Sequence, residues 1–185
     1  MEKARQYSAV TTPVLTTARL VLRAPVEGDF DAYAAMMADA DTARFIGGQM
    51  TRPAAWRSFA VLVGHWQLRG FGMFSVLDKE TGEWLGRVGA WQPEDWPGQE
   101  VGWGLIPAAQ GKGYAYEAAA ACLDHVFGSL GWSQVIHCIA AENAPSIALA
   151  RRLGSRWQAE VLLPPPLVDY KAQIYGQSAE EWRAR

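Results

Sequence analysis

"GWGLIPAAQGKGYAYEA", residues 102–118, decides how this chain is read. Two glycines lie inside its apolar opening, so the strand expected over 99–106 carries a bulge or a close backbone approach. Pro107 ends that strand. Gly111 and Gly113 then permit a tight turn, and the alanine-rich segment behind them predicts a helix from about 115 to 130. A glycine-rich turn that opens a helix presents N–H groups without intrahelical partners, at the positive end of the helix dipole. That arrangement suits an anion.

Two common phosphate loops do not fit. The Walker pattern needs a lysine after its last glycine and then Ser or Thr. Here Lys112 precedes Gly113, and Tyr114 holds the hydroxyl position. The dinucleotide pattern needs a third glycine and an early parallel strand, and neither is present. What remains is Q-x-x-G-x-A, formed by Gln110, Gly113 and Ala115.

The flanks supply the rest of the fold. Upstream, 18–24 alternates as a strand, and Phe30, Tyr33, Ala34 and Met37 fall at helical spacing with Asp29 as cap. After a loop around Gly47 and Gly48, Pro53 opens a second helix that Gly70 closes. Strands at 71–77, 83–92 and 99–106 form a meander. Downstream come a strand at 133–140, a helix at 143–154 capped by Asn143, and strands at 155–163 and 171–177 with a proline break at 164–166. Residues 1–13 read as a flexible leader and 14–185 as one mixed α/β domain.

Bulk properties narrow the partners. With 185 residues, half of them hydrophobic, the chain can bury a full core. A net charge of −2 argues against nucleic acid as a bulk partner. No apolar run reaches membrane length, so the expected location is the cytoplasm, with no membrane partner. Cys122 and Cys138 stand apart with no histidine cluster, which leaves no disulfide framework and no metal site. His65, His125 and His137 are scattered and make no triad.

Taken together, "ARLVLRAPVEGDFDAYAAMMAD", "VGWGLIPAAQGKGYAYEA", "AAENAPSIALARRLG" and "IYGQSAEEW" resemble the GNAT acetyltransferases, in the branch that includes ribosomal-protein N-terminal acetyltransferases. The resemblance runs over nearly the whole chain. It implies a central, mostly antiparallel, twisted sheet with helices on both faces and a splay between the fourth and fifth core strands. It implies acetyl-CoA as co-substrate, with its diphosphate on the backbone of Gln110, Gly111, Lys112, Gly113, Tyr114 and Ala115. Backbone groups near Leu105 and Ile106, and the side chain of Asn143, would hold the pantetheine arm. Plain helix capping is the other reading of Asn143.

The resemblance also points to chemistry. Acetyl transfer to an amine needs the ammonium deprotonated, a developing oxyanion held and a thiolate neutralised. Glu100 matches a glutamate placed as base in many relatives, acting directly or through water; a solvated strand-face glutamate is the alternative. Relatives often place a tyrosine four residues after the serine that matches Ser146, and here that position is Ala150. Ser146 is the substitute acid, against a plain first-turn backbone bond. Tyr114, Tyr116 and Tyr170 are further hydroxyls with no spacing to choose among them. Phe45, Trp91 and Trp103 are the expected acceptor-pocket residues, since aromatic faces suit a cationic amine or an apolar acceptor. Trp56 and Trp66 fall in the helix where the family builds that pocket. Nine tryptophans also suit core or homodimer packing. The expected acceptor is a small-molecule or peptide primary amine, and a non-catalytic acyl-CoA sensor or scaffold is the alternative.

Overall fold

In a computed structural model, residues 12–165, 167 and 170–185 are described; most of the expected leader and Pro166 of the proline break lie outside them. The strands are β1 (Leu15–Thr16), β2 (Leu20–Arg23), β3 (Met73–Asp78), β4 (Trp84–Trp91), β5 (Glu100–Leu105), β6 (Gln134–Ile139), β7 (Arg156–Leu162) and β8 (Lys171–Ser178). They form one sheet in the order β1-β2-β3-β4-β5-β6-β8-β7. Every pairing is antiparallel except β5 with β6.

The helices are α1 (Phe30–Ala38), α2 (Ala40–Ala43), α3 (Arg52–Arg69), α4 (Tyr114–Gly128), α5 (Ala144–Arg152) and α6 (Ala179–Arg183). Strand alternation sorts them into layers. On β3, Phe74 and Val76 join the core cluster that holds Ala118, Ala119, Cys122 and Leu123 of α4. Met73 instead belongs with Tyr33, Met37 and Phe59 of α1 and α3. Helices therefore cover both faces. Local chemistry sets their ends: Gly70 at φ 76° caps α3, its N–H bonding the Trp66 carbonyl at 3.0 Å.

Four features differ from the sequence reading. The early helix is broken into a 3-10 turn (Glu27–Asp29), α1 and α2. Asp29 sits at the N-cap of α1 without a capping bond. Its carboxylate turns inward instead, pairing with Arg23 at 2.7 Å and accepting from the Ser75 hydroxyl at 2.7 Å. The short β1 and α6 went unread, since two and five residues carry too little pattern. The last strand, to which the sequence assigns no place in the sheet, lies between β6 and β7. Finally, β5 carries no bulge: its register with β4 is regular from Gly86↔Leu105 to Trp91↔Glu100. Gly102 and Gly104 serve close packing, because a Cβ there would meet Met73 Cε at 3.0 Å and Ile46 Cδ1 at 3.2 Å.

Candidate active site

The parallel pairing of β5 with β6 consists of one register contact, Glu100↔Ile136. Beyond it the strands part, and side chains rather than a ladder satisfy the exposed backbone. The Ile136 N–H still reaches the Gln99 carbonyl at 2.9 Å. The next outward amide on β6, that of Cys138, donates to Glu100 Oε1 at 3.0 Å. The Val101 carbonyl accepts from His137 Nδ1 at 2.6 Å, while His137 Nε2 accepts from the Ser155 hydroxyl at 2.9 Å. Burial pushes His137 down to about 4, so the ring stays neutral, with its tautomer fixed by these two partners.

The open edge of β5 is short. The Ile106 N–H donates to the Leu85 carbonyl at 2.9 Å, so that amide faces β4 and is not available to a ligand. This corrects the expectation for Ile106. By two-residue alternation, the N–H of Leu105 and both backbone groups of Trp103 face the gap. The Leu105 carbonyl is already taken by Gln110 Nε2 at 3.0 Å, which ties the anion loop to the strand's end.

At that loop Gly111 has φ 71° and Gly113 φ 82°, the left-handed region that disfavours side chains. A Cβ at Gly111 would meet nothing within 4 Å, so the turn opens outward. Gly113 is the N-cap of α4, and the first α-helical bond is Glu117 N–H to its carbonyl at 3.1 Å. Of the preceding amides, that of Gln110 is taken by the Pro107 carbonyl at 3.1 Å, which corrects the expectation for its N–H, while residues 111–113 are exposed at the positive end of a helix of 15 residues. A residue missed from the sequence stands beside them. Arg19 donates to the Lys112 carbonyl at 3.1 Å, pairs with Glu117 at 2.7 Å and lies 4.4 Å from the Tyr114 ring centroid. Burial would raise Glu117, but bonds from Thr17 and Arg19 outweigh it and hold the carboxyl below its usual range. Its negative charge in the first turn is thus compensated.

Phe45, Trp91, Glu100, Trp103, Asn143 and Ser146 line one cavity of about 490 Å³. Glu100 is 7% exposed, which rules out the solvated reading. Burial raises its carboxyl above the usual range, opposed by bonds from the Cys138 amide and from Trp96 Nε1 at 2.6 Å, and by the charge of Arg87. Ser146 accepts from Trp103 Nε1 at 3.1 Å, leaving its own proton free to donate. Asn143 does cap α5, accepting the Ser146 N–H at 3.2 Å. Ala150 is fully buried against Ile139 and Tyr175, so a tyrosine has no room there.

Of the three tyrosines left open, Tyr170 alone lines the cavity, its hydroxyl 3.5 Å from the Phe45 carbonyl. Tyr114 and Tyr116 lie under Arg19 and Arg152 on α4. Trp66 is core, donating to the Met73 carbonyl at 2.9 Å, and Trp56 is exposed; neither lines the cavity. Arg87, also in the cavity wall, was unread; its signal is a lone charge inside the apolar run 84–91.

A family model described as an acetyltransferase (GNAT) domain matches residues 19–156. The uncharacterized N-acetyltransferase p20 of Bacillus licheniformis is 30% identical over 152 residues, covering 80% of this chain and 84% of the relative. The uncharacterized protein YkkB of Bacillus subtilis is 33% identical over 109 residues; that match spans 57% of this chain and 63% of YkkB's own length. A crystal structure of an acetyltransferase from Agrobacterium tumefaciens superposes with a TM-score of 0.80 at 30% identity, covering 94% of this chain and 98% of that one.

Proposed function

This chain belongs to the GNAT acetyltransferase family, and on that premise we propose that it moves an acetyl group from acetyl-CoA to a primary amine by direct attack, with both substrates bound together. The observation that carries this reading is the meeting of two features. A slot with unpaired strand-edge groups at Trp103 and Leu105 runs into the cavity that holds a buried carboxylate, Glu100. The loop at Gly111 and Gly113 fits a diphosphate, because residues 111–113 are exposed and the side chain that approaches the turn, Arg19, is a cation.

Acetyl-CoA, when bound, supplies an acyl thioester. The chain's own groups do the rest. Gly111 to Ala115 hold phosphate oxygens with backbone N–H, and Asn143 offers its amide to the arm in the slot. An edge N–H of Trp103 or Leu105 faces a developing oxyanion. Glu100, raised above the usual carboxylate range, accepts the proton of the incoming ammonium, directly or through water. The Ser146 hydroxyl, oriented by Trp103, donates towards the departing sulfur, and Tyr170 is the other protonated hydroxyl in reach of the cavity. The acceptor is a protein N-terminus or a small amine. The test is release of free thiol from acetyl-CoA against a panel of small amines and N-terminal peptides. Turnover with at least one acceptor is expected. Tight coenzyme A binding with no thiol release from any of them favours a non-catalytic sensor, a reading to which buried Ala150 lends support.

A further inference from the structure

We propose that Arg87 is the anion anchor of the acceptor site, and that the acceptor is a small amine carrying a carboxylate on an apolar body. The inference rests on the acetyl-transfer reading above and narrows it.

Arg87 lies mid-strand in β4, opposite Ser75 on β3 and Gly104 on β5. The pairing puts its side chain on the sheet face that carries the cavity, where Ile46 packs over neighbouring Gly104. Its Nε is buried with no hydrogen-bond partner, and no ion pair engages its guanidinium among the described residues. A guanidinium has five N–H donors and stays charged, so an apolar wall is a costly place to leave one unmatched.

The other charges of the interior are matched. Asp29 has Arg23 and Ser75, Glu117 has Arg19 and Thr17, and Glu100 has the Cys138 amide and Trp96. Arg87 feels the charge of Glu100 but is bonded by no carboxylate among the described residues, and unlike Arg57, the other cation of the lining, it is half-buried, so its free donors are left for a ligand. A planar fork of donors is shaped for a carboxylate.

The remaining lining fits the same molecule. Phe45, Ile46, Met50, Leu62 and Trp91 offer apolar and aromatic surface to its body. Glu100, on the same wall and within reach of the Arg87 charge, receives its ammonium. An amino acid with an apolar side chain satisfies both charges at once. A protein N-terminus carries no carboxylate of its own beside the amine.

The test is steady-state kinetics of the full chain with acetyl-CoA on leucine, methionine and phenylalanine, each against its carboxamide, which keeps the shape and removes the charge. The free acids are expected to win by roughly tenfold to a hundredfold in kcat/KM, the range of a hydrogen bond to a charged group. Arg87→Met should abolish that preference, mainly by raising KM for the acids; any shift it causes in the Glu100 titration acts on acids and carboxamides alike and cancels in their ratio. Arg87→Lys should restore part of it. Coenzyme A binding by calorimetry checks that each variant is folded, and if Arg87→Met is not, the wild-type preference and Arg87→Lys still decide. Equal use of acids and carboxamides overturns the proposal. So does an Arg87→Met effect confined to the pH profile, which would make Arg87 only a counter-charge to Glu100. If no amine at all is turned over, acetyl transfer fails on its own ground. Titration of N-acetylleucine against its carboxamide on the coenzyme A complex then still tests the anchor: tighter binding of the acid, lost in Arg87→Met, supports it, and equal or absent binding overturns it.

Discussion

Glu100 Oε1 takes the Cys138 amide hydrogen at 3.0 Å, at the point where β5 and β6 separate. The carboxylate therefore has two duties: it satisfies an amide that the splay leaves without a strand partner, and it faces the cavity. Glu100→Gln keeps an oxygen for the first duty and removes the second. Turnover should fall roughly a hundredfold or more, with coenzyme A affinity within a factor of two. An unchanged rate removes Glu100 from the chemistry.

The same residue predicts a pH dependence. Its folded carboxyl is raised by burial, so the native state holds this proton more tightly than the unfolded chain. The ionised form is the base, so kcat/KM should climb with pH through a value above the ordinary carboxylate range. Stability moves the other way, declining as pH rises from the ordinary value through the raised one. Both trends should flatten in Glu100→Gln, measured by kinetics and by urea denaturation across pH.

Ser146 and Tyr170 divide the remaining proton chemistry. Ser146 is held by Trp103, and Tyr170 reaches the cavity beside Phe45. If Ser146 protonates the leaving group, Ser146→Ala lowers kcat roughly tenfold to a hundredfold while Tyr170→Phe changes it little. The reverse pattern in single-turnover rates assigns the role to Tyr170.

Gly113 has φ 82° at the mouth of α4, and a Cβ there would meet only Arg19 Nη2 at an ordinary 3.5 Å. The penalty for alanine is thus conformational, about 1–2 kcal/mol of stability. Gly113→Ala should also weaken coenzyme A in calorimetric titration by distorting the amide array. Unchanged affinity would remove this loop from the diphosphate site.

Asp29 joins β2, the turn before α1, and β3. Burial raises its carboxyl, but bonds from Arg23, the Val26 amide and Ser75 outweigh that and hold it below the usual range. Its stabilisation is complete above the unfolded carboxylate value and disappears as pH falls through the lowered one. Asp29→Asn should cost about 3 kcal/mol at neutral pH, with a shallower loss on acidification, read by denaturant titration.

How much of this the sequence foretold depends on range. Gly111 and Gly113 signal their turn through backbone freedom alone, and Asn143 its cap through a partner three residues on. Those local rules placed the anion loop and the last core helix. Glu100 and Ser146 were located by family resemblance and Trp103 by its aromatic chemistry, and the fold carries them to one cavity. What escaped is long-range. Asp29 reads as a cap until Arg23 and Ser75 appear, the latter 46 residues away. Arg19 gives no sign that it will meet Lys112 and Glu117, 93 and 98 residues on. The regular β5 register shows why Gly102 and Gly104 misled: a strand glycine marks a bulge or a close neighbour, and only tertiary packing says which.

One rung, Glu100↔Ile136, joins β1 to β5 with β6 to β8, so the sheet is two plates stitched at a single point. Past that stitch the plates are bridged by side chains, among them His137 to the Val101 carbonyl and Glu100 to the Cys138 amide, and not by a shared ladder. Opening or narrowing the crevice therefore leaves the hydrogen bonding of each plate intact, which makes its width an adjustable property for selection or for engineering longer acyl donors.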